Sequence, residues 1–136
     1  MNDAVDHARS IAQQAHNGQT KKSGGFVIDH VTRVASKVEG REERIVAWLH
    51  DVVEKSPDWT LEKLRQEGFD DQIVRAVDAL TKRPGEDHAA LVRRASTNRL
   101  AHVVKLADLA DNLAEAERSG RDGSKYQAGL LILQKR

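Results

Sequence analysis

A histidine and an aspartate stand side by side at His50-Asp51, and Glu54 follows one helical turn later. On a helix of about 3.6 residues per turn, His50 and Glu54 are i and i+4 while Asp51 and Glu54 are i and i+3, so all three project over one side. His30 lies twenty residues before His50, and Asp108 fifty-seven after Asp51. Together His30, His50, Asp51 and Asp108 offer two imidazoles and two carboxylates to one divalent ion. A nitrogen and oxygen donor set without sulfur suits Mn²⁺, Fe²⁺ or Zn²⁺ better than a structural zinc closed by thiolates. Open positions would admit water, and Glu54, too far along the helix to be an obvious ligand, could take the water's proton. Asp108 and Asn112, again i and i+4, would aim a carboxylate and an amide into the same cavity. The pattern predicts a metal-dependent hydrolase.

Residues 17–25 hold three glycines, two lysines, a threonine and a serine, a loop rich in backbone donors and positive charge. Lys21, Lys22 and Ser23 there would hold a polyphosphate. Each residue also has a plain structural reading. A lone His-Asp pair occurs by chance, and Glu54 and Lys55 could be solvated residues at a helix end. Asp108 is the exception, because a carboxylate within an apolar helical face is costly unless paired or metal-bound. His7 and His88 are expected to face solvent and His102 to lie on a helix flank. His16 is expected to position the lysine loop by hydrogen bonding, and Trp48 and Trp59 to pack.

The elements that must carry these residues read as helices. Apolar residues at three- and four-residue spacings predict helices over 2–17, 29–38, 42–53, 61–66, 70–81, 87–94, 98–118 and 124–133. Thr60 is expected to cap the fourth, Asp87 to start the sixth and Ser124 to cap the last. On the long helix 98–118, Leu100, Val103, Val104, Ala107, Ala110, Leu113 and Ala114 would form one broad inward face. No segment reads as a strand, so the fold class is all-α, seven or eight helices in a single domain over residues 1–136.

With 22 Lys+Arg against 21 Asp+Glu, the net charge is +1, and no global basic field marks a nucleic-acid protein. The absence of cysteine excludes disulfides, thiolate zinc sites and cysteine nucleophiles. No apolar run approaches the roughly 20 residues of a membrane span, and the N-terminus does not read as a signal sequence, so a soluble cytoplasmic protein is expected, with no membrane partner.

Several motifs in series resemble one family: Ala12-x-x-Ala15-His16-x-Gly18-Gln19-x-Lys21-Lys22-Ser23-Gly24, Ile28-x-His30, His50-Asp51-Val52-Val53-Glu54, Leu80-Thr81-Lys82, and Lys105-Leu106-Ala107-Asp108 with Asn112. In order and spacing they resemble the hydrolase domain of RelA/SpoT proteins, within the HD superfamily, from about residue 8 to 115. The resemblance implies a stand-alone small alarmone hydrolase with an HD-domain helical bundle. It also implies one Mn²⁺, or another divalent metal, on His30, His50, Asp51 and Asp108, and removal of the 3′-pyrophosphate of guanosine tetra- or pentaphosphate. Glu54 would act on the attacking water and Asn112 near the ribose and phosphate. By the same mapping Lys21, Lys22, Ser23, Lys82 and Tyr126 would contact the nucleotide.

This chain departs from the family pattern at Lys21, where arginine is usual, at Lys55, where a second acid is usual, and at Val31, Leu109, Ala114 and Glu115. Two alternatives therefore stay open: hydrolysis of another nucleotide, such as a nucleoside monophosphate or the 2′-phosphate of NADPH, or a weakly active nucleotide-binding sensor. A homodimer is also left open.

Overall fold

The computed structural model describes residues 3–135, which form nine helical segments and a single isolated bridge between Thr20 and Phe26. In chain order these are α1 (Ala4–Ala15), α2 (Val27–Ser36), α3 (Arg41–Leu49), α4 (Val52–Lys55), α5 (Leu61–Gln66), α6 (Asp71–Leu80), α7 (His88–Ser96), α8 (Arg99–Arg118) and α9 (Ser124–Gln134). The all-α reading holds. The expected start of the first helix at residue 2 lies outside the described residues.

One expected helix is two. The predicted helix 42–53 breaks at His50-Asp51, between α3 and α4. The cause is local: the His50 N–H reaches back only three residues, to the Ala47 carbonyl, at 3.5 Å. The His50 Nδ1 bonds that same carbonyl at 2.6 Å. The imidazole thus caps one of the carbonyls that a helix end leaves unpaired. His50, Asp51 and Glu54 are consequently not consecutive positions of one regular helix, although all three line the same cavity.

α3 is the axle of the bundle. Ile45, Val46, Ala47, Trp48 and Leu49 are all buried on it, and α1, α2, α6 and α8 pack around it. Truncating Leu49 to alanine there costs about 2–5 kcal/mol, for the lost transfer energy and the cavity left behind. α2 buries Val27, His30, Val31, Val34 and Ala35, the i, i+3, i+4, i+7, i+8 stripe of a helix facing a core. His30 therefore belongs to the buried stripe. α9 packs on α7 and α8 through a smaller cluster of Val92, Leu109 and Leu133.

Caps match the sequence at two of three places: Thr60 and Asp87 accept from the backbone N–H three residues on. Asn98 does the same at the start of α8. Ser124 does not cap α9; Gly123 is the cap residue, and Asp122 accepts the Ser124 N–H instead. On α8, Ala110 is exposed while Lys105, Asp108 and Asp111 are buried, so the inward face is more polar than expected.

Arg94 fixes the loop that presents Lys82. It donates to both Glu86 oxygens at 3.0 and 2.7 Å and to the Asp78 and Thr81 carbonyls at 2.9 Å each. The Arg94 hydrogen bonds, against a smaller opposing effect of burial, hold the Glu86 carboxyl down at about 2. Arg94→Met is expected to lower stability by about 2–3 kcal/mol in urea denaturation at neutral pH, the scale of a lost charge-assisted pair. Because the Glu86 value is depressed in the folded state, this stabilisation is present above the ordinary value of 4.5 and is lost as pH falls towards about 2. The difference between wild type and variant should therefore shrink through that window.

Candidate metal and nucleotide site

Four elements converge on one cavity of about 320 Å³, lined by Lys21, His30, His50, Asp51, Glu54, Lys55, Leu80, Lys82, His88, Leu91, Lys105, Asp108, Leu109, Asn112, Lys125 and Tyr126. The structure brings together His30 from α2, His50 and Asp51 from the α3–α4 break, and Asp108 from α8. His30 Nε2 lies 2.8 Å from Asp108 Oδ1. His50 Nε2 lies 3.4 Å from Asp51 Oδ2 and 3.4 Å from Asp108 Oδ1. Two donors at right angles, each about 2.1 Å from one ion, stand about 3 Å apart, so this spacing fits a shared cation.

The orientation of both imidazoles fits as well. His50 Nδ1 faces the Ala47 carbonyl and His30 Nδ1 faces Asp111 Oδ2 at 2.7 Å. Both partners accept hydrogen bonds only, so each Nδ1 is the donor. In the neutral ring, each Nε2 then carries the lone pair that a metal needs. His50 Nε2 is buried with no hydrogen-bond partner among the described residues, the unpaired atom expected at a ligand position. Ligand atoms of His30, His50 and Asp51 also lie within 4.8 Å of one another. So do those of His30, Asp111 and Glu115, but there Arg33 occupies Asp111 at 2.9 and 3.1 Å and Glu115 at 3.1 Å. That second group is an ion-pair network behind the site.

Metal-free, the cluster gathers protons. Burial pulls His50 down, but the carboxylates of Asp51 and Asp108 outweigh it and lift it to about 9. His30 is likewise raised by Asp108 and Asp111 against the opposing effect of burial. Burial raises Asp108, yet Lys105 and the two histidines hold it well below the usual carboxylate range. A cation bound there would take over the neutralising role of those protons.

Around the candidate ligands, the described lining holds five lysines and one further carboxylate, Glu54, a balance that favours an anion. Glu54 is exposed, and its Oε1 accepts the Lys82 backbone N–H at 2.9 Å, which ties the α4 end to the loop after α6. Asn112 Nδ2 donates to Asp108 Oδ1 at 3.4 Å. Lys21 reaches in from its loop to Asn112 at 3.1 Å and Glu115 at 2.7 Å. That loop folds back through hydrogen bonds from Lys21 N to the Gly25 carbonyl and from Gly24 N to the Lys21 carbonyl. Gly24 and Gly25 have φ of +97° and +80°, which side-chain-bearing residues rarely adopt. His16 holds Gln19 at 2.8 Å, as expected of it.

Lys82 and Tyr126 line the cavity, whereas Lys22 and Ser23 line an adjoining groove. Four residues of the site were given no role there by sequence reasoning. Lys105 is buried and donates to Asp108 Oδ2 at 3.0 Å. Asp111 is 1% exposed and orients His30. Their signal was the i+3 spacing of Lys105, Asp108 and Asp111, which puts three charges on one buried line. Lys125 lines the cavity mouth. His88, expected in solvent, also lines the cavity, with Nε2 buried against α9.

Residues 8–119 match the family described as HD domain. The chain is 38% identical over 76 residues to a guanosine-3′,5′-bis(diphosphate) 3′-pyrophosphohydrolase of Haemophilus influenzae, covering 53% of this chain and 11% of the relative. It is 32% identical over 137 aligned residues to a GTP pyrophosphokinase of Streptomyces coelicolor, covering 91% of this chain and 16% of the relative. The chain thus spans under a fifth of the length of these relatives. Among solved structures, a metazoan SpoT ortholog described as hydrolysing ppGpp superposes with a TM-score of 0.75 at 20% identity, covering 99% of this chain and 84% of that one. That likeness concerns the fold. With a match over most of its length and the paired His-Asp of the site in place, the chain belongs to the HD domain family.

Proposed function

We propose that this protein is a metal-dependent hydrolase that removes the 3′-pyrophosphate of guanosine tetra- or pentaphosphate, leaving GDP or GTP. The observation that carries the reading is the convergence of His30, His50, Asp51 and Asp108 at one end of a lysine-lined cavity. The name of the Haemophilus influenzae relative supports the substrate. Among the described residues no helix is long and apolar enough to cross a membrane, and we place the protein in the cytoplasm, where such nucleotides occur.

His30, His50, Asp51 and Asp108 would hold the ion, for which the nitrogen and oxygen donor set fits Mn²⁺. A bound divalent ion lowers the pKa of water and polarises a phosphoryl oxygen. Glu54, fixed by the Lys82 N–H, takes the proton of the attacking water. The new bond forms between water oxygen and the phosphorus attached to O3′; the P–O3′ bond breaks and its electrons pass to the 3′ oxygen, which takes up one proton, balancing the one Glu54 removed, and ends as a hydroxyl. Lys21, Lys82 and Lys105 face the developing negative charge, and Asn112 orients the sugar and phosphate.

Hydrolysis in ¹⁸O-water should put the label in pyrophosphate and none in the nucleoside product; label on the 3′ oxygen would refute the bond assignment. A parallel panel of nucleoside monophosphates and NADPH reads out orthophosphate, and faster release there would move the substrate away from the alarmone. Lys105→Met is expected to lower kcat/KM about 10–100-fold, as for loss of one preorganised charge, with folding retained by circular dichroism.

A further inference from the structure

The cavity does not end at its mouth. A groove of about 850 Å³ adjoins it, lined by Gly18, Gln19, Thr20, Lys21, Lys22, Ser23, Val27, Lys55, Lys125 and Tyr126. Four of those residues, Lys21, Lys55, Lys125 and Tyr126, line the cavity too, so the two spaces border one another. Among the described residues the groove wall has four lysines and no carboxylate, and none of the four metal-ligand candidates lines it. An anion held there is removed from the one being cleaved.

Lys55 is the hinge between the two spaces. It follows Glu54 directly, and its side chain is exposed with no carboxylate in ion-pair range among the described residues. Lys21, by contrast, is engaged by Glu115 at 2.7 Å. The Lys55 backbone is held independently: its carbonyl accepts from Gln19 Nε2 at 2.9 Å, and Gln19 is in turn held by His16. The anchor is the main chain, so the ammonium is free for a ligand.

We infer that Lys55, with the groove it borders, is a specificity-determining contact for a second phosphate chain, the 5′-polyphosphate of a nucleotide whose 3′-pyrophosphate lies in the cavity. The inference rests on the proposed reaction for the identity of the cavity's ligand. A flexible point charge suits this use, since an ammonium reads anionic charge without demanding one geometry. The count of 5′ phosphates, more than the base, then sets affinity.

The test is calorimetric titration of Mn²⁺-loaded Asp51→Asn protein and its Lys55→Ala, Lys55→Arg and Arg75→Ala derivatives. The titrants are three guanosine 3′-diphosphates bearing one, two or three 5′ phosphates. Should the Asp51→Asn background not hold Mn²⁺, the same titrations are run on metal-free protein of otherwise native sequence. With Lys55 present, Kd should tighten at least about fivefold from one to three 5′ phosphates. Lys55→Ala should flatten that dependence to under twofold, Lys55→Arg should keep it, and Arg75→Ala, an exposed charge elsewhere, should leave it unchanged. Indifference of the parent protein to 5′ phosphate number, an unchanged dependence in Lys55→Ala, or equal flattening by Arg75→Ala would each overturn the inference. Pyrophosphate release by native protein is scored separately, so failure of the reaction and failure of the subsite are told apart.

Discussion

Asp51→Asn should lower kcat/KM for pyrophosphate release by about 10³-fold or more, a loss of roughly 4 kcal/mol of transition-state stabilisation. The amide keeps the shape of the carboxylate but removes its charge and one of its two acceptor oxygens. Asp51 Oδ2 stands 3.4 Å from His50 Nε2, within the cluster that would hold the ion. Its own side chain is 15% exposed, so the change does not leave a deeply buried group unpaired, and folding should persist. The thermal midpoint should stay within a few degrees of wild type. Activity within tenfold of wild type at saturating Mn²⁺ would remove Asp51 from the ligand set.

Asp111→Ala should do damage of a different kind. Asp111 does not line the cavity; it accepts from His30 Nδ1 at 2.7 Å, from Arg33 at 2.9 and 3.1 Å and from Lys37 at 3.4 Å, and it is 1% exposed. Removing it frees the His30 ring to turn and leaves Arg33 with Glu115 as its one acidic partner among the described residues. Arg33 and Lys37 are partly solvated, which moderates the loss, so the expected destabilisation is about 2–4 kcal/mol by urea unfolding. Mn²⁺ affinity should fall about 10–100-fold, as for other groups that orient a metal-bound histidine. Asp111→Asn, which keeps an acceptor for His30, should be milder on both counts. Unchanged Mn²⁺ affinity in Asp111→Ala would show that His30 is oriented by something else.

The candidate ligands stand out in the chain because adjacency and spacing expose them. A His-Asp pair, an isolated upstream histidine and an aspartate within an apolar stripe are departures from what a helical core needs, and they point at one another. Lys105 and Asp111 were harder to place. On a helix as charged as α8, a lysine and an aspartate look like its solvent face, and only the packing of α2 against α8 shows that this line of charges is internal.

The break at His50-Asp51 carries no glycine or proline to announce it. It arises because the imidazole competes for the Ala47 carbonyl, a side-chain effect invisible to helical periodicity. His88 was misplaced for a related reason. A single histidine at a helix start looks solvent-facing until α9 folds over it, and Gly129 on α9 lets it approach: a Cβ there would lie 3.2 Å from His88 Nε2 and 2.8 Å from Leu109. The Ser124 cap failed because α9 starts one residue earlier than expected: Gly123 takes the cap position, its carbonyl accepting from the Tyr126 and Gln127 N–H groups, and Ser124 becomes the first helical residue.

The activity proposed for this protein is metal-dependent pyrophosphate release from guanosine tetraphosphate. Metal-stripped protein should be inactive, and titration with Mn²⁺ should restore activity at one ion per chain, with GDP and pyrophosphate appearing in equal amounts. No product at saturating Mn²⁺, or orthophosphate in place of pyrophosphate, would contradict it.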